Sequence, residues 1–230
     1  MRTHRFVPPV LVALLFVTNS ARAAETVSFQ EGDGGAYSST HATTISSGPN
    51  QGTVVVVSVV TFTAQALIQF PDMIGTNPGQ VPPGATIVSA TLTMTLSQAP
   101  NEFASNDIRE AYYPWDENTV TGASYYANAA PQYGPIAGTL PANGPGLPTS
   151  GDATSIVQNW ADGQPNHGIL LHRRDPLSIE EGTYITQYSS DDAAGIYHRR
   201  PGNDTLFDRV PQRRVGVVAV VTHIADGRES

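Results

Sequence analysis

Three segments in close succession, GATIVSATLTM (84–94), WDENTVT (115–121) and GDATSIVQNWADGQPNHGILL (151–171), decide how this chain reads. The first belongs to an alternating run, ATIVSATLTMTLS (85–97). Val88, Ala90, Leu92, Met94 and Leu96 share one parity there, and Ile87, Ser89, Thr91, Thr93 and Thr95 share the other. Successive strand residues point to opposite faces, so the Val88–Leu96 set is expected to face a core. The third segment carries one short helix, expected over 152–162. Asp152 suits its start, Gly163 its end, and Pro165 bars continuation. Ile156, Val157 and Trp160 fall on one face, which is expected to close an open end of a sandwich before the chain enters a strand at Gly168–His172.

Strand signals surround this segment. TVSFQ (26–30) is a short strand stopped by EGDGGA (31–36), and a polar loop runs on to PNQG (49–52). Residues 53–70 are β-branched enough for two strands with a bend near Thr63–Gln65. Val54 to Val60 is apolar at nearly every position, so it must be covered or it would form an aggregation-prone edge. A strand is expected around Asp107–Tyr112. The stretch from Gly122 to Ser150 is a Gly/Pro/Ala-rich excursion with strand character only at Pro135–Leu140, and strands at Thr183–Ser189 and Arg214–Thr222 close the chain. The 21 Gly and 18 Pro recur between short apolar runs, as in all-β domains with many turns. The expected fold is an all-β antiparallel β-sandwich of jelly-roll type with one short α-helix, forming a single domain over 24–230.

ALIQFPDM (66–73), VPPGATIVSATLTM (81–94), WDENTVT, DATSIVQNWADG with the following NHGILL, and RRVGVVAV (213–220) together resemble the DNRLRE family. These are exported β-sandwich domains whose members include carbohydrate-binding modules. The resemblance spans roughly Val27 to Val221 and rests on core and turn residues. It implies the sandwich, a buried structural role for Trp115 and Trp160, and recognition of extracellular carbohydrate. Two departures stand out: Gly122 lies where many relatives place a second Trp, and residues 191–212 lengthen the last loop.

At the N-terminus, Arg2, His4 and Arg5 precede an eleven-residue apolar run, Val7 to Val17. That run suits a signal-peptide core and falls short of the ~20 residues that cross a bilayer. Ala21-Arg22-Ala23 suits cleavage before Ala24, so residues 1–23 are expected to be a signal peptide taking the Sec route, the arginines not being adjacent. The expected product is secreted or periplasmic and not inserted in a membrane. Losing Arg2, Arg5 and Arg22 leaves 9 basic against 20 acidic residues, a formal charge of −11. Such a surface repels nucleic acid and anionic lipid. Cysteine is absent, which removes thiolate nucleophiles and thiolate metal sites. Lysine is absent too, which removes Schiff-base chemistry and the P-loop lysine.

Candidate ligand contacts follow from side-chain chemistry. Seven of the nine arginines beyond residue 23 lie between 173 and 214, within and after His172-Arg173-Arg174 and His198-Arg199-Arg200. Guanidinium groups grip carboxylates and sulfates bidentately, so His172, Arg173 and Arg174 are candidates for an acidic polysaccharide. The alternative is pairing with the interleaved acids, among them Asp175, Glu180, Glu181 and Asp204. Among loop-proximal tyrosines, Tyr113 and Tyr188 are the candidate sugar contacts. A structural calcium is the expected cofactor, with Asp33 in the EGDGGAY loop and Asp72 as first ligands, although no EF-hand spacing occurs. No HExxH, GxSxG or HxH spacing appears, and neighbouring acids such as Asp116–Glu117 point to opposite faces of a strand. The expected role is non-catalytic carbohydrate binding. The alternative is a structural surface or matrix protein that assembles through partner proteins or sheet edges, for which strand 54–60 would serve.

Overall fold

A computed structural model describes residues 23–30, 37, 40–50, 56–60, 64–95, 105–141, 147–173, 184–188 and 218–224. In chain order the elements begin with β1 (Glu25–Phe29), β2 (His41–Ser46), β3 (Val56–Val60), β4 (Ala64–Gln69), β5 (Thr86–Thr95) and β6 (Asn106–Ala111). Then come α1 (Gly122–Tyr126), β7 (Tyr133–Leu140), β8 (Pro148–Asp152), α2 (Thr154–Ala161), β9 (Ile169–Arg173), β10 (Tyr184–Tyr188) and β11 (Val218–Ile224). The smaller sheet has the order β1-β11-β5-β8. The larger runs β10-β3-β4-β9-β6-β7, with β2 also paired to β4. All strand pairs are antiparallel. The chain passes between sheets after β1, β4, β5, β7, β8 and β10, which makes this the expected antiparallel sandwich of jelly-roll type. No helix among the described residues is long and apolar enough to cross a membrane.

The core lies between the sheets. Phe29, Leu92, Met94 and Val221 meet Ile68, Ile108 and Leu171, and Trp160 closes the cluster at one end. On the far side of the larger sheet, Ile45, Leu67, Ala111, Val120, Tyr125 and Leu170 form a second cluster, with Tyr113, Trp115 and Tyr133 packed against it.

Several expectations change here. In β5 the parity breaks at its start: Ile87 is 7% exposed and Val88 55%. Opposite them the register of β11 jumps from Thr222↔Ser89 to His223↔Ile87, so Val88 is the extra residue of a β-bulge. The bulge turns Val88 out and Ile87 in, while Ala90, Leu92 and Met94 face the core as expected. The polar loop before residue 49 contains β2, whose Ala42, Thr43 and Ile45 are buried. The excursion at 122–150 holds a second helix, α1, and two strands, β7 and β8. Residues 56–60 are not an open edge, because β10 pairs with β3 from Val56 to Val60.

Helix α2 plugs one end of the sandwich and is pinned to both sheets. On the smaller sheet, Gln158 Oε1 accepts from Ile87 N (2.8 Å), and Thr154 Oγ1 accepts from Ala90 N (3.0 Å). On the larger, Asn159 Nδ2 donates to Glu110 Oε2 (2.8 Å). Asp152 acts one residue outside the expected capping position: Ala153 is the N-cap, and Asp152 Oδ1 accepts from Thr154 N (2.9 Å). Gly163 ends the helix at φ 99°, a conformation that glycine adopts without strain.

Candidate functional site

The outer face of the larger sheet carries a folded cap, residues 112–132. Asp116 Oδ1 accepts from Asn118 N (3.0 Å) and Thr119 Oγ1 (3.2 Å), tightening the turn. Asn50 Nδ2 donates to Glu117 O (3.0 Å) and to Val120 O, while Glu117 Oε2 accepts from Ala42 N (3.3 Å). These bonds moor the cap to β2. Thr121 then starts α1 with a capping box, Thr121 Oγ1 accepting from Ser124 N and Ser124 Oγ from Thr121 N. Gly122 sits so close to β2 that a Cβ there would lie 2.5 Å from the Ser46 carbonyl oxygen. This contact explains why a glycine stands at 122: no side chain fits between helix and strand.

The helix divides its two tyrosines between core and surface. Tyr125 is buried, and its hydroxyl donates to Gln132 O (3.0 Å). Tyr126 is 39% exposed and donates to Gln65 Oε1, and both residues line a depression of about 390 Å³. Ile45, Ala64 and Ala123 supply apolar walls, and Ser46, Ser47, Gln65 and Tyr126 supply uncharged polar groups. A shallower depression of about 550 Å³ lies beyond α1, lined by Trp115, Asp116, Tyr125 and Asn128 among others. Burial pushes both phenols well above the ordinary tyrosine range, with the Tyr126 hydroxyl adding to the effect on Tyr125 and Tyr133 to that on Tyr126. They are therefore protonated donors at any ordinary pH.

Beside the cap, Arg109 lies 5.3 Å from the Tyr133 ring centre, bonds Asp107 Oδ2 (3.3 Å), and donates to Gly134 O (3.2 Å). The rings of Tyr133 and His172 are 6.0 Å apart, and His172 pairs in register with Asp107. This is a committed network, with its guanidinium held by carboxylate, carbonyl and ring together.

The expected contacts distribute unevenly. His172 is half-buried on the cap's face of the sheet, next to Tyr133. Tyr113 is half-buried within the cap, its hydroxyl donating to Ala129 O (2.9 Å). Arg173 ends β9 opposite Asn106, and Tyr188 ends β10 opposite Val56; only their backbones are described. Arg174 and Asp33 lie outside the described residues, as does the His198-Arg199-Arg200 triplet. Asp72 is exposed in the turn after β4, where its carbonyl accepts from Gln80 Nε2 (2.8 Å). Among the described residues no three His, Asp or Glu side chains converge as a metal site would need. Trp160 is buried, while Trp115 is half-buried, its indole N–H donating to His167 O (2.8 Å). Sequence reasoning passed over Gln65 and counted Tyr126 among several loop-proximal tyrosines without singling it out. The Thr121–Ser124 spacing of a capping box was the available signal for the helix that presents Tyr126. Comparison of the sequence with protein-family models and with curated proteins finds no match.

Proposed function

We propose that this chain is an exported, non-catalytic carbohydrate-binding protein of DNRLRE-like type, and that the capped outer face of its larger sheet holds the sugar. The observation that carries the reading is the depression beside Tyr126, with apolar walls and uncharged hydrogen-bonding groups around a half-exposed phenol. A pyranose has the same split character, with C–H faces and hydroxyl edges, and pockets of this kind fix small ligands by a few placed polar groups. A lyase-type tyrosinate base needs a lowered pKa, and burial acts in the opposite direction on both phenols of α1.

A glycan-array screen tests this, run with calcium and with chelator so that a structural calcium is tested as well. The expected result is a reproducible hit that Tyr126→Ala abolishes. A blank array in both conditions would overturn the carbohydrate reading in favour of a structural surface role. A hit untouched by Tyr126→Ala would move the site off this face.

A further inference from the structure

We infer that the depression between α1 and the β2–β4 pair selects a neutral saccharide and discriminates against uronate or sulfated sugars. The inference rests on the carbohydrate reading above and runs against the acidic ligand to which the arginine triplets point.

Charge is the first argument. None of the described residues lining the depression is charged. A carboxylate or sulfate entering it would give up its hydration for neutral donors alone. Burying an ion without a counter-charge is far more costly than burying a hydroxyl that keeps its hydrogen bonds. Arg109, a cation on the same face of the sheet, is already held by Asp107, Gly134 O and the Tyr133 ring. The whole chain carries a formal charge of −8, which further disfavours anions on approach.

The geometry is the second argument. At about 390 Å³ the depression is near the small end of ligand pockets, suited to a chain end or a short stretch of glycan. Its walls are set by backbone as well as side chains, because Gly122 rests against the Ser46 carbonyl. Tyr126 and Gln65, hydrogen-bonded to each other, both line the depression, and each can exchange that bond for a sugar hydroxyl. A hydroxyl acts as donor to Gln65 Oε1 and acceptor from Tyr126, whereas an anionic oxygen can only accept, from Tyr126 or the Gln65 amide, and meets no counter-charge among the described lining residues.

Titration calorimetry with matched oligosaccharides tests the inference: neutral gluco-, galacto-, manno- and xylo-oligomers beside their uronate-bearing or sulfated counterparts. The neutral member of the binding pair is expected to bind about tenfold tighter or better, with little dependence on salt. Gln65→Ala is expected to weaken it about tenfold at unchanged melting temperature. Gln65→Arg should shift preference towards the uronate member by placing a cation at the mouth. Tighter, salt-sensitive binding of the acidic member, or neutral binding indifferent to both Gln65 variants, would overturn the inference and leave the carbohydrate reading standing. Binding of no oligomer of either kind would sink that reading itself.

Discussion

Glu110 shows how one buried carboxyl ties the fold together. It sits on β6 facing the interior, and its partner is Asn159 on α2. Burial raises its pKa above the ordinary value of 4.5. The Asn159 hydrogen bond opposes the shift, as does the nearby Trp160 indole, which favours the anion without reaching hydrogen-bonding geometry. The folded protein therefore binds this proton more tightly than the unfolded chain. Glu110's contribution to stability is fully present below the unfolded pKa and declines as pH rises through the folded one. Glu110→Gln keeps an acceptor for Asn159 and removes the titration. Its stability relative to the parent should rise from pH 4.5 upwards, as read from urea midpoints at several pH values. Asn159→Ala leaves the carboxylate without that amide and should cost about 1–3 kcal/mol at neutral pH. His167 works in the other direction: burial lowers its pKa, so its contribution is present above 6.5 and is lost on acidification.

The strand β5 and the helix α1 both turn on one residue meeting a neighbour distant in sequence. Ile87→Ala should cost about 2–5 kcal/mol, because Ile87 faces the core, whereas Val88→Thr should change stability by less than about 0.5 kcal/mol. Equal losses at the two positions would contradict the bulge. For α1, Thr121→Ala removes the capping box and should cost about 0.5–2 kcal/mol. Gly122→Ala forces the helix off Ser46 and should cost about 1–3 kcal/mol. It should also weaken sugar binding, since Tyr126 moves with the helix. Calorimetric melting and the calorimetric titration separate the two effects.

The molecule as a whole is a sandwich plugged by α2 at one end and capped by α1 on one face. Trp160→Ala removes the largest side chain of the plug and should cost about 3–5 kcal/mol, visible as a lowered melting temperature. Pairing of β3 with β10 takes the valine-rich strand out of reach of a second copy. Size-exclusion chromatography should therefore show a monomer without sugar, and sugar-independent assembly would favour the structural alternative. The export proposed above predicts a mature N-terminus at Ala24, which N-terminal sequencing of the exported fraction checks.

Local signals in the sequence determined much of this fold. Alternation from Ala90 to Met94 marked a core-facing strand, while Gly163 and Pro165 marked where α2 stops. Trp160 and its neighbours marked the face that closes the sandwich. Those signals are legible because strand and helix periods are properties of the backbone itself. Tertiary structure alone decided the rest. The bulge at Val88 depends on β11, which lies more than a hundred residues away along the chain. Strand β2 carries few apolar residues and is buried because β4 pairs with it, Ala42 enters the core between the sheets and Ile45 packs under the cap. The candidate site is the clearest case: Gln65, Ser46 and Tyr126 come from three separate elements, and no local pattern could place them around one depression. Periodicity reports which face of an element is buried. Which elements meet there is settled by packing between distant parts of the chain.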